Sequence, residues 1–260
     1  MAKHTELQYK YVRTSGKILH DTFKVLEKHL LPGVTTMELD KIAEDYIMSK
    51  GGEPAFKGHQ GYKYTICASV NEESIHGMPS KSKSLNTGDI ISLDIGVRYP
   101  KGDRLSMCTD AARTMPVGEI SKEATDLINI TRQSFDVGVK GLKAGDKVKT
   151  IGQRIEKFVN GRYGIIDNYF GHGIGQTIHE GVLIPNFDVD KKNLSARVVE
   201  LTNMSVQEGD IICIEPMLNC GTKDVRVAKD GWTVITADGK LAAHHENTLI
   251  ITKSGVEIIT

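Results

Sequence analysis

The 260-residue sequence reads as an α+β protein built from two related halves. Three observations carry this. Amphipathic helix patterns and buried-strand patterns both recur along the chain. No linker or low-complexity tract separates them. Several segments of the first half also return, in the same order, in the second.

The elements follow in order. Leu19, Phe23, Leu26 and Leu30 recur at helix spacing, and Gly33 is suited to ending that helix. Leu39, Ala43 and Ile47 then open a new helix with apolar residues four apart. In the second half Gly145 takes the place of Gly33, and Ile151, Ile155 and Val159 repeat the spacing. The next pair is sharper. Gly88-Asp89-Ile90-Ile91-Ser92-Leu93-Asp94-Ile95 matches Gly209-Asp210-Ile211-Ile212-Cys213-Ile214-Glu215-Pro216. Each reads as a turn and then a buried strand, because its apolar residues are β-branched and nearly continuous. Each strand carries an acid at the same register, Asp94 or Glu215. Cys108-Thr109-Asp110-Ala111 pairs with His245-Glu246-Asn247-Thr248, and His76-Gly77 with His179-Glu180-Gly181. Two packed halves related by a pseudo-twofold would bring all four acids to one place. The expected organisation is one catalytic domain, 1–260, with halves at roughly 10–118 and 119–258.

Composition narrows the function class. Lys+Arg and Asp+Glu both count 33, so the formal net charge is zero and nothing calls for a polyanionic partner. Short basic runs at Lys81 to Lys83 and Lys191 to Lys192 read as solvated loops. Met1 to Glu6 lacks the apolar core of a secretory signal, and no apolar run is long enough for a membrane span. Cys67, Cys108, Cys213 and Cys220 form no CxxC pair, and free thiols in a reducing cytosol are expected.

The acids point to metal. An ionised carboxylate on a buried strand must find a partner or change its pKa. Asp103, in Lys101-Gly102-Asp103-Arg104, has an ordinary role as a hairpin turn. Asp94 and Glu215 have only Leu93, Ile95, Ile214 and Pro216 beside them. Four carboxylates brought together would repel unless cations neutralise them. Oxygen-rich sites favour harder divalent ions, and an added imidazole moves the preference toward transition metals. His172, between Gly171 and Gly173, is the candidate imidazole. The glycine-rich loop around it lacks the Lys-Ser/Thr of a phosphate-binding loop. An iron centre with His172 and His179 as two histidine ligands is an alternative, but it leaves the paired acids unexplained.

These segments together resemble type I methionine aminopeptidases along nearly the whole chain. Cys67 to Pro79 is similar to that family's substrate-side histidine segment. Leu93-Asp94-Ile95-Gly96 and Thr109-Asp110-Ala111-Ala112-Arg113-Thr114 resemble its aspartate segments. Gly171-His172-Gly173-Ile174-Gly175 with Ile178-His179-Glu180 resembles its histidine pair. Ile214-Glu215-Pro216-Met217 and His245-Glu246-Asn247-Thr248 resemble its glutamate segments, and Asp230-Gly231-Trp232-Thr233 also matches.

The resemblance implies a pita-bread fold, with pseudo-twofold halves around a curved antiparallel sheet covered by helices. It implies a cytoplasmic, monomeric enzyme that removes the first methionine of nascent polypeptides, prefers a small second residue, and meets its substrates near the ribosome exit tunnel. It implies two divalent ions (manganese, iron(II), cobalt or zinc). Asp94 would hold one and His172 with Glu215 the other, with Asp110 and Glu246 bridging both. Glu215 would shuttle the proton. His179 would support the oxyanion and His76 the scissile amide or next residue. Tyr62, Cys67, Ile178 and Trp232 would form the methionine pocket, each with core packing as its ordinary alternative. His4, His20, His29, His59, His244 and His245 read as surface or satisfied core histidines. Departures from the family are a longer hairpin at 98–104, a polar insertion at 188–205 expected near the cleft, and Ile178 where relatives carry an aromatic. The large insertion of type II enzymes and a zinc-finger extension are both missing. The rivals are a Pro-specific pita-bread aminopeptidase and a non-enzymatic pita-bread binding protein.

Overall fold

The computed structural model describes residues 4–260. Positions 1–3, part of the stretch read above as lacking a signal, lie outside the described residues. Helix α1 (Glu6–Glu27) starts at a capping box, in which Thr5 and Gln8 satisfy each other's end groups. Its buried face carries Val12, Leu19, Phe23 and Leu26. The helix stops at Glu27, so Leu30 is buried beyond it and Gly33 (φ +94) serves a later turn instead of ending the helix. A second capping box, Thr35 with Glu38, opens α2 (Thr36–Ser49). In the second half α3 (Lys122–Val139) and α4 (Lys149–Val159) repeat this pair, and Gly145 (φ +96) again lies in the turn between them. The predicted stripes, Leu39, Ala43 and Ile47 on α2 and Ile151, Ile155 and Val159 on α4, are all fully buried.

The first half contributes β1 (Glu53–Pro54), β2 (Ile66–Val70), β3 (Glu73–Ile75) and a long hairpin of β4 (Ile90–Tyr99) and β5 (Met107–Pro116). β4 is central and pairs with β1, β2 and β5. The hairpin ladder runs unbroken from Ile90↔Pro116 to Tyr99↔Met107. The extra residues 98–104 therefore lengthen its end and leave the acid-bearing part in register. Asp103 caps that turn by accepting from the Leu105 N–H at 2.8 Å.

The second half contributes β6 (Gly164–Ile165), β7 (Gly171–Gly173), β8 (Glu180–Ile184), β9 (Ile211–Ile214), β10 (Met217–Asn219), β11 (Val225–Val227), β12 (Val234–Thr236), β13 (Ala242–His244), β14 (Asn247–Ile251) and β15 (Val256–Ile258). Their sheets run β15-β14-β9-β7-β8, β13-β10-β6 and β11-β12-β3. All these pairings are antiparallel, but the sheet is divided into four hydrogen-bonded segments.

The repeat extends to the backbone. Thr35 bridges Ser84 before β4, and Lys147 bridges Ser205 before β9. The Gly33 N–H donates to the Leu85 carbonyl at 2.7 Å, as the Gly145 N–H does to Val206 at 2.8 Å. One apolar core lies under α1 and α2 and holds Leu93 and Ile95; another lies under α3 and α4 and holds Ile212 and Ile214. Burying such side chains stabilises by about 1.5–3 kcal/mol each. A third cluster, with Val12, Cys108, Ile178 and Cys213, fills the seam between the halves.

That seam places the acids. The Glu246 N–H donates to the Ala112 carbonyl at 3.0 Å, and the Asp110 N–H to Thr248 Oγ1 at 2.8 Å. β5 therefore lies against the start of β14, and the register-equivalent acids Asp110 and Glu246 face each other across the pseudo-twofold.

The 188–205 insertion forms a short 3-10 turn and the helix α5 (Ala196–Thr202), which packs on β8. It is tied to α4 through Lys149–Asp190 at 2.8 Å. None of its residues lines the cleft described next.

Candidate metal centre

Asp94 and Asp110 stand on neighbouring strands of one hairpin, where β4 and β5 pair Asp94↔Ala112 and Gly96↔Asp110. Glu215 follows the last residue of β9, and Glu246 precedes the first of β14, the strand that pairs with β9. His172 is the middle residue of β7. Its flanking Gly171 is required by packing, because a side chain there would run into the Cys213 carbonyl of β9.

These residues meet in one cavity of about 130 Å³. Ligand atoms of Asp94, Asp110 and Glu246 lie within 4.8 Å of one another, and so do those of His172, Cys213 and Glu246. Glu246 belongs to both groups. Asp110 reaches the second as well: His172 Nε2 is 3.9 Å from Asp110 Oδ2, 3.7 Å from Glu215 Oε1 and 3.9 Å from Glu246 Oε1. His172 Nδ1 lies 3.0 Å from the Gly173 carbonyl. A proton on Nδ1 makes that hydrogen bond and leaves the Nε2 lone pair facing the acids, the arrangement of metal-binding imidazoles.

The electrostatics point the same way. Burial raises the Asp94 carboxyl to about 7. Burial, then repulsion from neighbouring acids, pushes Asp110, Glu215 and Glu246 well above the usual carboxylate range. Among the described residues the only basic groups ion-paired with these acids are the imidazoles of His172 and His244. Asp94 Oδ1, Asp110 Oδ1 and Glu246 Oε1 are buried without a protein partner. Arg113 approaches from behind, yet its guanidinium donates to the Ala112 and Glu246 carbonyls and to Asn247 Oδ1, not to a carboxylate. Orphaned buried carboxylate oxygens beside an oriented imidazole fit divalent cations. These residues could hold two, sharing Glu246 and Asp110.

Around the acids stand three histidines. The His179 ring is 4.3 Å from that of His172 and 5.2 Å from that of His59. Burial lowers the His76 pKa to about 4. Its φ of +58 is rare for a residue with a side chain and aims its imidazole back into the cleft. Gly77 lets the backbone pass there, because a Cβ would strike β2 at Ala68 and Ser69. The apolar end is Tyr62, Cys67, Trp232 and Phe56. The Tyr62 and Trp232 rings are 5.0 Å apart, and Cys67 pairs with Asp94 across the sheet. Burial keeps the Cys67 thiol protonated.

Placement differs from expectation at three residues. Ile178 does not line the cleft but packs in the seam core with Ile174 and Cys108, while its neighbour His179 lines the cleft. His59 lines the cleft instead of facing solvent, carried there by a 3-10 turn at His59–Gly61. His244 is buried, with Nε2 3.9 Å from Glu215 Oε2 and no partner on either ring nitrogen. Phe56 and Gln60 also line the cleft without having been singled out. No periodicity marks the 56–62 loop.

A duplicated α+β frame that converges four acids and an imidazole on one cleft defines a metal-dependent hydrolase of the pita-bread class. Residues 10–253 match the model of metallopeptidase family M24, and the chain belongs to that family. It is 41% identical to a methionine aminopeptidase of Clostridium acetobutylicum over 256 residues, 98% of this chain and 96% of the relative. The crystal structure of methionine aminopeptidase from Thermotoga maritima superposes with a TM-score of 0.90 at 33% identity, covering 100% of this chain and 99% of that one. A prolidase from Pyrococcus furiosus shares the fold alone, with a TM-score of 0.76 at 20% identity over 99% of this chain and 65% of its own.

Proposed function

We propose that this chain removes the N-terminal methionine of newly made polypeptides by metal-assisted peptide hydrolysis, in the cytoplasm where those chains arise. The observation that carries the reading is the pair of donor groups sharing Glu246 beside an apolar slot. The slot is chemically suited to a thioether side chain, and the acids to a free amine. Asp94, Asp110 and Glu246 would hold one divalent cation, and His172, Glu215, Asp110 and Glu246 the other. Bound there, the cations would supply a water of lowered pKa and polarise the scissile carbonyl.

The protein's own groups do the rest. Tyr62, Cys67 and Trp232 grip the methionine side chain. The amine lies against the acid cluster, which leaves no room for a residue ahead of it, so only the first peptide bond is cut. Glu215, ionised when the cations are bound, would accept the proton of the attacking water and return it to the leaving amine. The exposed His179 donates to the developing oxyanion. His76 accepts from the scissile amide N–H or donates to the next carbonyl, and a small second residue is favoured beside it.

The test is a peptide panel of Met-Ala-Ser, Met-Lys-Ser and Ala-Pro-Ser with the metal-loaded protein. Preferred cleavage of Met-Ala-Ser is expected. Preference for Ala-Pro-Ser would assign the chain to Pro-specific chemistry instead.

A further inference from the structure

His244 is the one buried histidine beside the acids for which that reading has no use. It ends β13 and sits opposite Met217 of β10, two residues past Glu215. Its backbone is held on both sides: the His244 N–H donates to Thr114 Oγ1 at 2.8 Å, and the same hydroxyl lies 2.9 Å from the His244 carbonyl. The residue is 2% exposed, and neither ring nitrogen has a hydrogen-bond partner. A buried imidazole without partners is costly and needs an explanation.

Glu215 supplies one. Its carboxylate has no protein hydrogen bond among the described residues, although its backbone N–H donates to Asn186 Oδ1 at 3.3 Å. The two carboxylate oxygens are flanked by imidazoles at nearly equal range. Oε1 is 3.7 Å from His172 Nε2, and Oε2 is 3.9 Å from His244 Nε2. His172 faces Asp110 and Glu246 too, whereas His244 faces Glu215 alone among the acids. A small rotation of the Glu215 side chain closes the outer contact into an N–H···O bond.

We propose that His244 is a positioning residue, whose Nε2–H donates to Glu215 Oε2 and holds the carboxylate with Oε1 turned toward His172. This rests on the reading of Glu215 as cation ligand and proton carrier. Without the donor, Glu215 is free to swing out of the cluster. His244 does not line the substrate cleft, so methionine binding should not sense its loss.

The test compares the wild type with His244→Leu, which fills the space without a donor, and His244→Gln, which keeps one. Each chelator-stripped protein is titrated with Mn²⁺ by calorimetry, and its melting temperature is recorded. Expected for His244→Leu is a 10–100-fold loss of Mn²⁺ affinity, the usual scale for such supporting groups, and a lower kcat at unchanged KM. His244→Gln should recover most of both. In a Glu215→Gln background, His244→Leu should cost nothing further in Mn²⁺ affinity, a comparison that holds even where the leucine variant is less stable. Wild-type Mn²⁺ affinity in His244→Leu would overturn the proposal, and so would equal damage in the leucine and glutamine variants. A wild type that binds no Mn²⁺ would overturn the reading of the whole centre, and this assignment with it.

Discussion

Stripping the metal should invert how stability depends on pH, and the structure gives the window. Burial raises Asp94 to about 7 and the other three acids well above their ordinary range. An acid whose folded pKa exceeds its unfolded value near 4 keeps its proton on folding. It stabilises the fold at low pH and loses that contribution as pH rises toward the folded pKa. Buried histidines act in the opposite direction. Burial lowers His172 and His244 to about 3 and His76 to about 4, and His245 falls well below 6.5. Their unfolded forms gain protons below about 6.5, so they favour the fold as pH rises to that point. Between about pH 4 and 6.5 the two groups oppose each other. Above it the histidines are neutral in both states and only the acids act. Each proton retained by the cluster then costs about 1.4 kcal/mol per pH unit. One such proton between pH 6.5 and 8 amounts to about 2 kcal/mol, or a fall of roughly 4–8 °C in Tm for a chain of this size. Cations bind the ionised acids, so the loaded protein should hold its Tm or gain over the same range. Calorimetric melts of chelator-treated and Mn²⁺-loaded protein from pH 6.5 to 8 test this. A metal-free Tm that stays flat or rises across that window would refute the clustered-acid argument.

Three further outcomes are expected. His172→Ala and Glu246→Ala should each abolish metal-dependent cleavage of Met-Ala-Ser, and undiminished turnover in either, measured by release of free methionine, would remove it from the ligand set. His179→Ala should keep the metals, read by elemental analysis, while kcat falls about 10²–10³-fold, the usual scale for one oxyanion donor; loss of metal would give His179 a different role. Gly171→Ala should lower Tm and metal content together, because its Cβ collides with the Cys213 carbonyl beside His172; a wild-type melt would mean the strands can separate at no cost.

Much of the acid arrangement was legible because buried strands announce themselves. The β-branched runs Ile90-Ile91 and Ile211-Ile212 fix two strands, and the carboxylates at one register within or just past them have no nearby cation to explain them. The helix stripes were equally plain, since Leu39, Ala43 and Ile47 must share a face. The helix ends were not. Gly33 and Gly145 look like stops but serve later turns, because α1 and α3 each end where their buried stripe runs out. His244 and His59 were hidden for a different reason. Ala242-Ala243-His244 is an ordinary strand pattern, and only the pairing of β13 with β10 brings it to Glu215. His59 depends on a 3-10 turn containing Gln60 at φ +49, a conformation that the sequence around it does not mark. Long-range pairing and loop conformation are what local pattern cannot carry.

The lone imidazole among the acids has a register explanation. β4 and β9 are equivalent, with Ile91 matching Ile212, Ser92 matching Cys213 and Asp94 matching Glu215. In the first half Val70 pairs with Ile91, and Ser69 with Ser92. In the second, Gly173 pairs with Ile212, so one step along the antiparallel ladder sets His172 against Cys213. Ser69 therefore stands where His172 stands. The same spacing relates His76 to His179, each seven residues further on. The flanking histidines were thus repeated with the halves, and the inner one was not. Ser69 could not take its place: its hydroxyl is short, and it accepts the Gly77 N–H at 2.9 Å, which secures the turn that carries His76. One half spends this position on aiming a substrate-side histidine, and the other spends it on an imidazole facing the acids. The two proposed cation positions are then unequal by construction. The acid-only side is the harder and suits oxygen-preferring ions, while the side with His172 adds a nitrogen donor and should bind transition metals more tightly.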